Sequence, residues 1–77
     1  MTQLRVVSYR VMRKVAVRKG FIWDRCEGSH NIFQNEAGFC ITIPNHVPQP
    51  IVRPLLRKII RDLGMTVDEY NQLLDDL

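Results

Sequence analysis

The chain has 77 residues, 45% of them apolar and 25% charged, a balance that excludes a disordered chain. Its apolar stretches are too short to span a bilayer, and its charged N-terminus has no signal-peptide core. The net charge of +3 is uneven: residues 1–61 carry eleven Lys and Arg against three acidic residues, and residues 62–77 carry five acidic residues and no base. We expect a cytoplasmic protein whose basic body binds a polyanion; solvated helix faces are the alternative explanation.

A helix is predicted over residues 9–19, with Ser8 as its N-cap and Gly20 just after its end. Its apolar residues recur at the spacing of one buried stripe: Val11, Met12, Val15 and Ala16. The exposed arc then holds Arg10, Arg13, Lys14 and Arg18.

Three strands follow, over residues 21–26, 29–35 and 39–43. The turns between them are Glu27-Gly28 and the segment "NEAG". Phe21 and Trp23 alternate on one strand face, and we expect at least one of them to be buried; stacking on nucleic-acid bases is the alternative.

Two cysteines, Cys26 and Cys40, are too few for a zinc site. On the outer strands of a three-stranded meander they would lie about 9–10 Å apart. A disulfide needs Cα atoms within about 7 Å, so we expect two free thiols, buried as small apolar residues.

All four prolines lie in residues 44–54, which predicts an extended connector. Pro54 suits the first position of a second helix that ends at Gly64. The buried stripe of this helix comprises Leu55, Leu56, Ile59, Ile60 and Leu63.

A short acidic helix completes the chain. Thr66 and Glu69 have the spacing of a capping box, and Met65 and Tyr70 that of a hydrophobic staple. We interpret the chain as one domain, with a tail over residues 1–7, an αβββα core over 8–64 and the acidic helix over 65–77.

This order predicts an α+β domain of two layers, with both main helices on one face of an antiparallel sheet. The same order occurs in double-stranded-RNA-binding domains, which recognise RNA by its shape and backbone.

The stretches "VSYRVMRKVAVRKGF", "GSHNIFQNEAGFCITIPNH" and "LRKIIRDLGMTVDEYNQLL" resemble the HicA toxins of bacterial toxin–antitoxin pairs. The most specific element is Gly-Ser-His entering a strand, followed by a hairpin turn, a strand ending in Ile-Pro and a helix ending in Gly. The resemblance implies a metal-independent, cofactor-free mRNA endoribonuclease with a fold like that of a double-stranded-RNA-binding domain. It also implies a toxin that is monomeric alone and inhibited in a larger complex by a HicB-type antitoxin.

The family's catalytic histidine corresponds to His30, and its flanking residues to Gly28 and Ser29. Many members carry a second histidine where this chain has Asn31, so the resemblance implies a single-histidine site here. Imidazole suits the general acid/base chemistry of RNA cleavage because it titrates near neutral pH. On residues alone, a structural or idle histidine at a strand end is the alternative.

Further substrate contacts are predicted around His30. His46 leaves the sheet close to His30 if residues 44 and 30 pair; an exposed loop histidine is the alternative. Candidates for phosphate contact include Lys19, Arg25, Arg57 and Lys58. The strand pattern leaves open which sheet face His30 occupies, because Ile32 and Phe33 point to opposite faces.

Two other functions fit the composition and the fold. One is a non-catalytic RNA-binding module of the double-stranded-RNA-binding type, which only the Gly-Ser-His motif separates from the enzyme. The other is a protein-interaction domain whose basic face binds an acidic partner.

Overall fold

The computed structural model describes residues 3–46 and 48–77. Its elements in chain order are α1 (Tyr9–Arg18), β1 (Ile22–Glu27), β2 (His30–Gln34), β3 (Cys40–Pro44), α2 (Arg53–Asp62) and α3 (Val67–Asp76). The strands form one antiparallel sheet in the order β1-β2-β3. The predicted α+β architecture, consistent with a fold like that of double-stranded-RNA-binding domains, is confirmed.

The helices bury most of the apolar stripes that their spacing predicts, although Val11 and Leu55 are only half-buried. Met12, Val15 and Ala16 of α1 are buried, and so are Leu56, Ile59 and Ile60 of α2. Ser8 is the N-cap of α1, although its side chain makes no capping hydrogen bond. Within the described residues, no helix is long and apolar enough to cross a membrane.

One face of the sheet packs against these helices. Phe33, Ile41 and Ile43 belong to the main core, whereas Ile32 is buried outside it. Phe33 pairs with Ile41 across β2 and β3, and paired residues share a face because side chains alternate along a strand. The helices therefore cover the face that carries Phe33.

Part of the segment before α1 belongs to the packed structure. Leu4 is buried in the main core. The backbone N–H of Ile51 donates to the carbonyl of Val7 at 3.0 Å, which ties this segment to the connector. The Tyr70 hydroxyl donates to the carbonyl of Arg5 at 2.6 Å, so the segment also fixes α3.

The cysteines are free thiols, as predicted. The expectation that they are buried is wrong, because both are exposed. Cys26 lies on the edge strand β1, whose six residues are all exposed, and Cys40 alternates with the buried Ile41. Of the two aromatic residues near β1, Phe21 is buried and Trp23 is 53% exposed, which agrees with the expectation for this pair.

The capping box at the start of α3 is present as predicted. The Glu69 backbone N–H donates to the Thr66 hydroxyl at 3.1 Å, and the Thr66 backbone N–H donates to the Glu69 carboxylate at 2.8 Å. The bond from the Thr66 backbone contributes most to lowering the pKa of Glu69, because hydrogen bonds favour the charged carboxylate.

Tyr70→Phe is expected to lower the free energy of unfolding at pH 7 by about 1 kcal/mol, because it removes the hydrogen bond to Arg5. Burial raises the pKa of Tyr70 from 10.0 to about 12. The folded protein therefore holds the phenol proton more tightly than the unfolded chain. Ionisation of Tyr70 therefore leaves stability unchanged below pH 10 and lowers the free energy of unfolding by roughly 2–3 kcal/mol as the pH rises from 10 to 12.

Denaturant unfolding between neutral and alkaline pH measures both effects. Stability of the wild type should fall more steeply above pH 10 than that of Tyr70→Phe. Parallel curves for the two proteins would contradict the assignment.

Candidate active site

The Gly-Ser-His motif forms the turn between β1 and β2. Glu27 pairs with His30, so Gly28 and Ser29 are the two residues of the hairpin turn, one position later than the predicted Glu27-Gly28. Gly28 has φ +62° and Ser29 does not have positive φ, the pattern of a type II′ turn. The backbone of this turn alone is sufficient reason for glycine at position 28.

The turn is fixed to the end of β3. The backbone N–H of Asn45 donates to the carbonyl of Ser29 at 2.7 Å. His30 pairs with Pro44, which confirms the predicted pairing of residues 44 and 30. His30 is therefore the first residue of a strand whose start is held from both neighbouring strands.

A cleft of about 300 Å³ opens at this end of the sheet. It is lined by His30, Pro44, His46, residues 49–52 and Leu55. Both histidines are exposed, and both border this one cleft as the pairing predicted. The cleft thus offers an accessible imidazole beside a second one.

The register also answers which sheet face His30 occupies. Alternation along β2 puts His30 on the side of Ile32 and opposite Asn31 and Phe33. His30 therefore does not face the main core, which leaves its side chain available to a ligand.

A buried polar contact lies next to His30. Asn31 is 7% exposed, and its Oδ1 accepts a 2.9 Å hydrogen bond from Nε1 of Trp23. This bond ties β1 to β2 one residue from the imidazole. It also orients the indole of Trp23, the aromatic side chain considered above for base stacking.

Two of the predicted phosphate contacts are held by carboxylates. Arg25 forms ion pairs with Asp24 at 2.6 Å and Glu27 at 3.1 Å, and its hydrogen bonds to Glu27 and then Asp24 raise its pKa. Lys58 pairs with Asp62 at 2.8 Å. These local pairs reduce the positive charge that either residue presents to RNA.

The other two predicted cations lie elsewhere. Lys19 is the C-cap of α1. It lies near the start of β1, at the opposite end of that strand from His30. Its positive charge helps to lower the pKa of Glu69. Arg57 is exposed on α2, two residues beyond Leu55 in the cleft wall. Among the described residues, Arg57 and Lys19 make no salt bridge, and none of the four predicted cations lines the His30 cleft.

A second cleft, of about 430 Å³, borders Asn45 on the side of α1. Its lining includes Tyr9, Arg10, Arg13 and Lys14. The sequence places the three cations on an exposed helix face but does not predict this cleft, because the docking of α1 beside residue 45 is a tertiary feature. Among the described residues, no group of three or more His, Cys, Asp or Glu side chains is placed to hold a metal ion.

The family model described as the HicA toxin of bacterial toxin–antitoxin systems matches residues 9–65, about three quarters of the chain. The chain belongs to the HicA toxin family. A search of the curated proteins finds no match.

The part of the chain that matches the HicA family includes the candidate site. The matched region contains the Gly28–Ser29 turn, both histidines and the cleft. The chain is thus the toxin of a toxin–antitoxin pair, with an antitoxin as its partner in general terms. The acidic helix α3 lies outside the matched residues.

Proposed function

We propose that this HicA toxin is an endoribonuclease that cleaves mRNA without a metal ion, with His30 as its general acid/base. The observation that carries the proposal is the exposed imidazole of His30 at the mouth of a cleft, in a member of a toxin family whose catalytic histidine corresponds to this position.

The proposed reaction uses the RNA's own 2′-hydroxyl. His30 accepts the hydroxyl proton, O2′ bonds to the adjacent phosphorus, and the bond from phosphorus to O5′ breaks. The leaving 5′-oxygen takes a proton from water, and the protonated His30 returns its proton to the hydroxide so formed, which yields a 2′,3′-cyclic phosphate and a 5′-hydroxyl. Proton transfer by a well-placed side chain contributes about 10²–10⁴-fold to the rate.

Neighbouring groups are proposed to hold the scissile phosphate. Ser29 offers its hydroxyl, and Gly28 presents no side chain on the open side of the turn. His46 lines the cleft and offers a hydrogen-bond donor there, and Arg57, exposed on α2 outside the cleft lining, is proposed as a further phosphate contact. Cationic donors stabilise the charge on the phosphoryl oxygens. Arg25 and Lys58 enter this proposal only as ion-paired residues at its periphery.

The partner that inhibits this toxin is proposed to be a HicB-type antitoxin. The chain carries a net charge of +3, and an acidic antitoxin surface over the basic body would compete with RNA for the same residues. Occlusion of the His30 cleft is the simplest form of inhibition.

Expression in bacteria tests the proposal. We expect the wild type to arrest growth and fragment cellular mRNA, and His30→Ala to do neither while accumulating as a folded protein. Growth arrest by both proteins with intact mRNA would instead favour a non-catalytic RNA-binding module.

A further inference from the structure

We infer that Arg10, Arg13 and Lys14 of α1, together with Asn45, form a phosphate-binding subsite for the RNA strand that enters the His30 cleft. This inference rests on the proposed ribonuclease function. It assigns the recognition of the RNA backbone to one exposed face of α1 and so locates the polyanion contact that is expected for the basic body.

The charge on this face is not neutralised locally. Helix α1 contains no acidic residue, and within the described part of the chain no salt bridge involves Arg10, Arg13 or Lys14. Arg25 and Lys58, by contrast, are each held by carboxylates. Helix α1 therefore presents three positive charges on this face that no carboxylate of the described residues neutralises.

The geometry joins this face to the proposed catalytic cleft. Asn45 lines the cleft of about 430 Å³ with the three α1 cations. Pro44 and His46, on either side of Asn45 in the chain, line the cleft that contains His30. The hydrogen bond from Asn45 N–H to the Ser29 carbonyl holds Asn45, which lies between the two clefts, beside the Gly28–Ser29 turn. An extended RNA strand that crosses residue 45 therefore contacts both clefts.

The chemistry of the lining suits a nucleic-acid backbone. Guanidinium groups bind phosphate oxygens through two parallel N–H donors, and a lysine adds a flexible third charge. When these cations neutralise several phosphates of the RNA backbone, bound counterions are released. The affinity for RNA must therefore fall as the salt concentration rises. Contacts with phosphates do not depend on base identity, so any sequence preference must come from other residues.

The test compares two triple variants, both in the full chain with His30→Ala so that the RNA is not cut. The subsite variant is Arg10→Gln/Arg13→Gln/Lys14→Gln. The control, Arg5→Gln/Arg25→Gln/Lys58→Gln, removes three cations that are each in a salt bridge. Both lose three charges, so their long-range attraction to RNA changes equally.

The readout is the affinity for a short fluorescein-labelled single-stranded RNA between about 50 and 200 mM salt. At about 0.7 per phosphate contact, the subsite variant should lower the slope of log K against log salt by about 2, with affinity reduced by about tenfold or more. The control should lose less than half as much slope. With His30 restored, the subsite variant should raise KM and leave kcat unchanged.

Equal slopes for the two variants would overturn the subsite. If the wild type cleaves RNA while the slopes are equal, the subsite fails and the ribonuclease stands. If the wild type does not cleave but the slopes differ as expected, the ribonuclease fails and the RNA-binding face stands. Thermal melting of both variants verifies that each is folded.

Discussion

His30→Ala is expected to reduce kcat for RNA cleavage by about 10²–10⁴-fold, the usual contribution of a general acid/base. The melting temperature should stay close to that of the wild type, because His30 is exposed and exposed substitutions typically change stability by less than about 0.5 kcal/mol. Single-turnover cleavage and thermal melting of the same preparations measure the two effects.

His46→Ala is the matched control, since His46 is also exposed and borders the same cleft. We expect its kcat to fall by less than about tenfold, with the main effect on KM, because its proposed role is contact with phosphate. Equal losses of kcat in the two variants would contradict the assignment of acid/base catalysis to His30. A large loss of stability in His30→Ala would indicate a structural role instead.

Phe33→Ala is expected to lower the free energy of unfolding by about 3–5 kcal/mol. Phe33 is fully buried in the main core and pairs with Trp23 and Ile41 on the neighbouring strands. At about 0.05–0.15 kcal/mol per residue, a chain of this length has only about 4–12 kcal/mol of stability. The variant should therefore be partly or largely unfolded at 37 °C.

Phe39→Ala is its control, because it removes the same side chain from a position that is 68% exposed. Chemical denaturation should show a change within about 0.5 kcal/mol for this variant. Comparable losses at the two positions would contradict the division between the helix-covered face of the sheet and the exposed residue just before β3.

The order of elements follows from local patterns in the sequence. The apolar stripe of α1 and the spacing of Thr66 and Glu69 are signals within one helix, and both are present in the structure. The short turns fix which strands are neighbours, so the pairing of His30 with Pro44 was predictable. These features depend on residues close together in the chain.

The faces of β1 were not predictable in the same way. The register shifts between Trp23 and Arg25, so Asp24 interrupts the alternation on which a prediction of faces depends. The exposure of Cys26 follows from the edge position of β1, which the helices leave uncovered. Which strand lies under the helices is a tertiary property that alternation alone does not specify.

The site was predictable for its histidine and less so for its charges. The Lys58–Asp62 pair has i, i+4 spacing, and Arg25 lies next to Asp24 in the chain, so both ion pairs could have been inferred from sequence. The cleft between α1 and Asn45 could not, because it depends on how α1 docks beside the end of β3.

The central claim is tested most directly by incubating a structured mRNA with purified wild type or with His30→Ala. Excess EDTA is present, and the fragment ends are then mapped. Cleavage by the wild type alone is expected, with 2′,3′-cyclic phosphate and 5′-hydroxyl ends. Equal cleavage by both proteins, or salt-sensitive RNA binding by both with no cleavage, would contradict it.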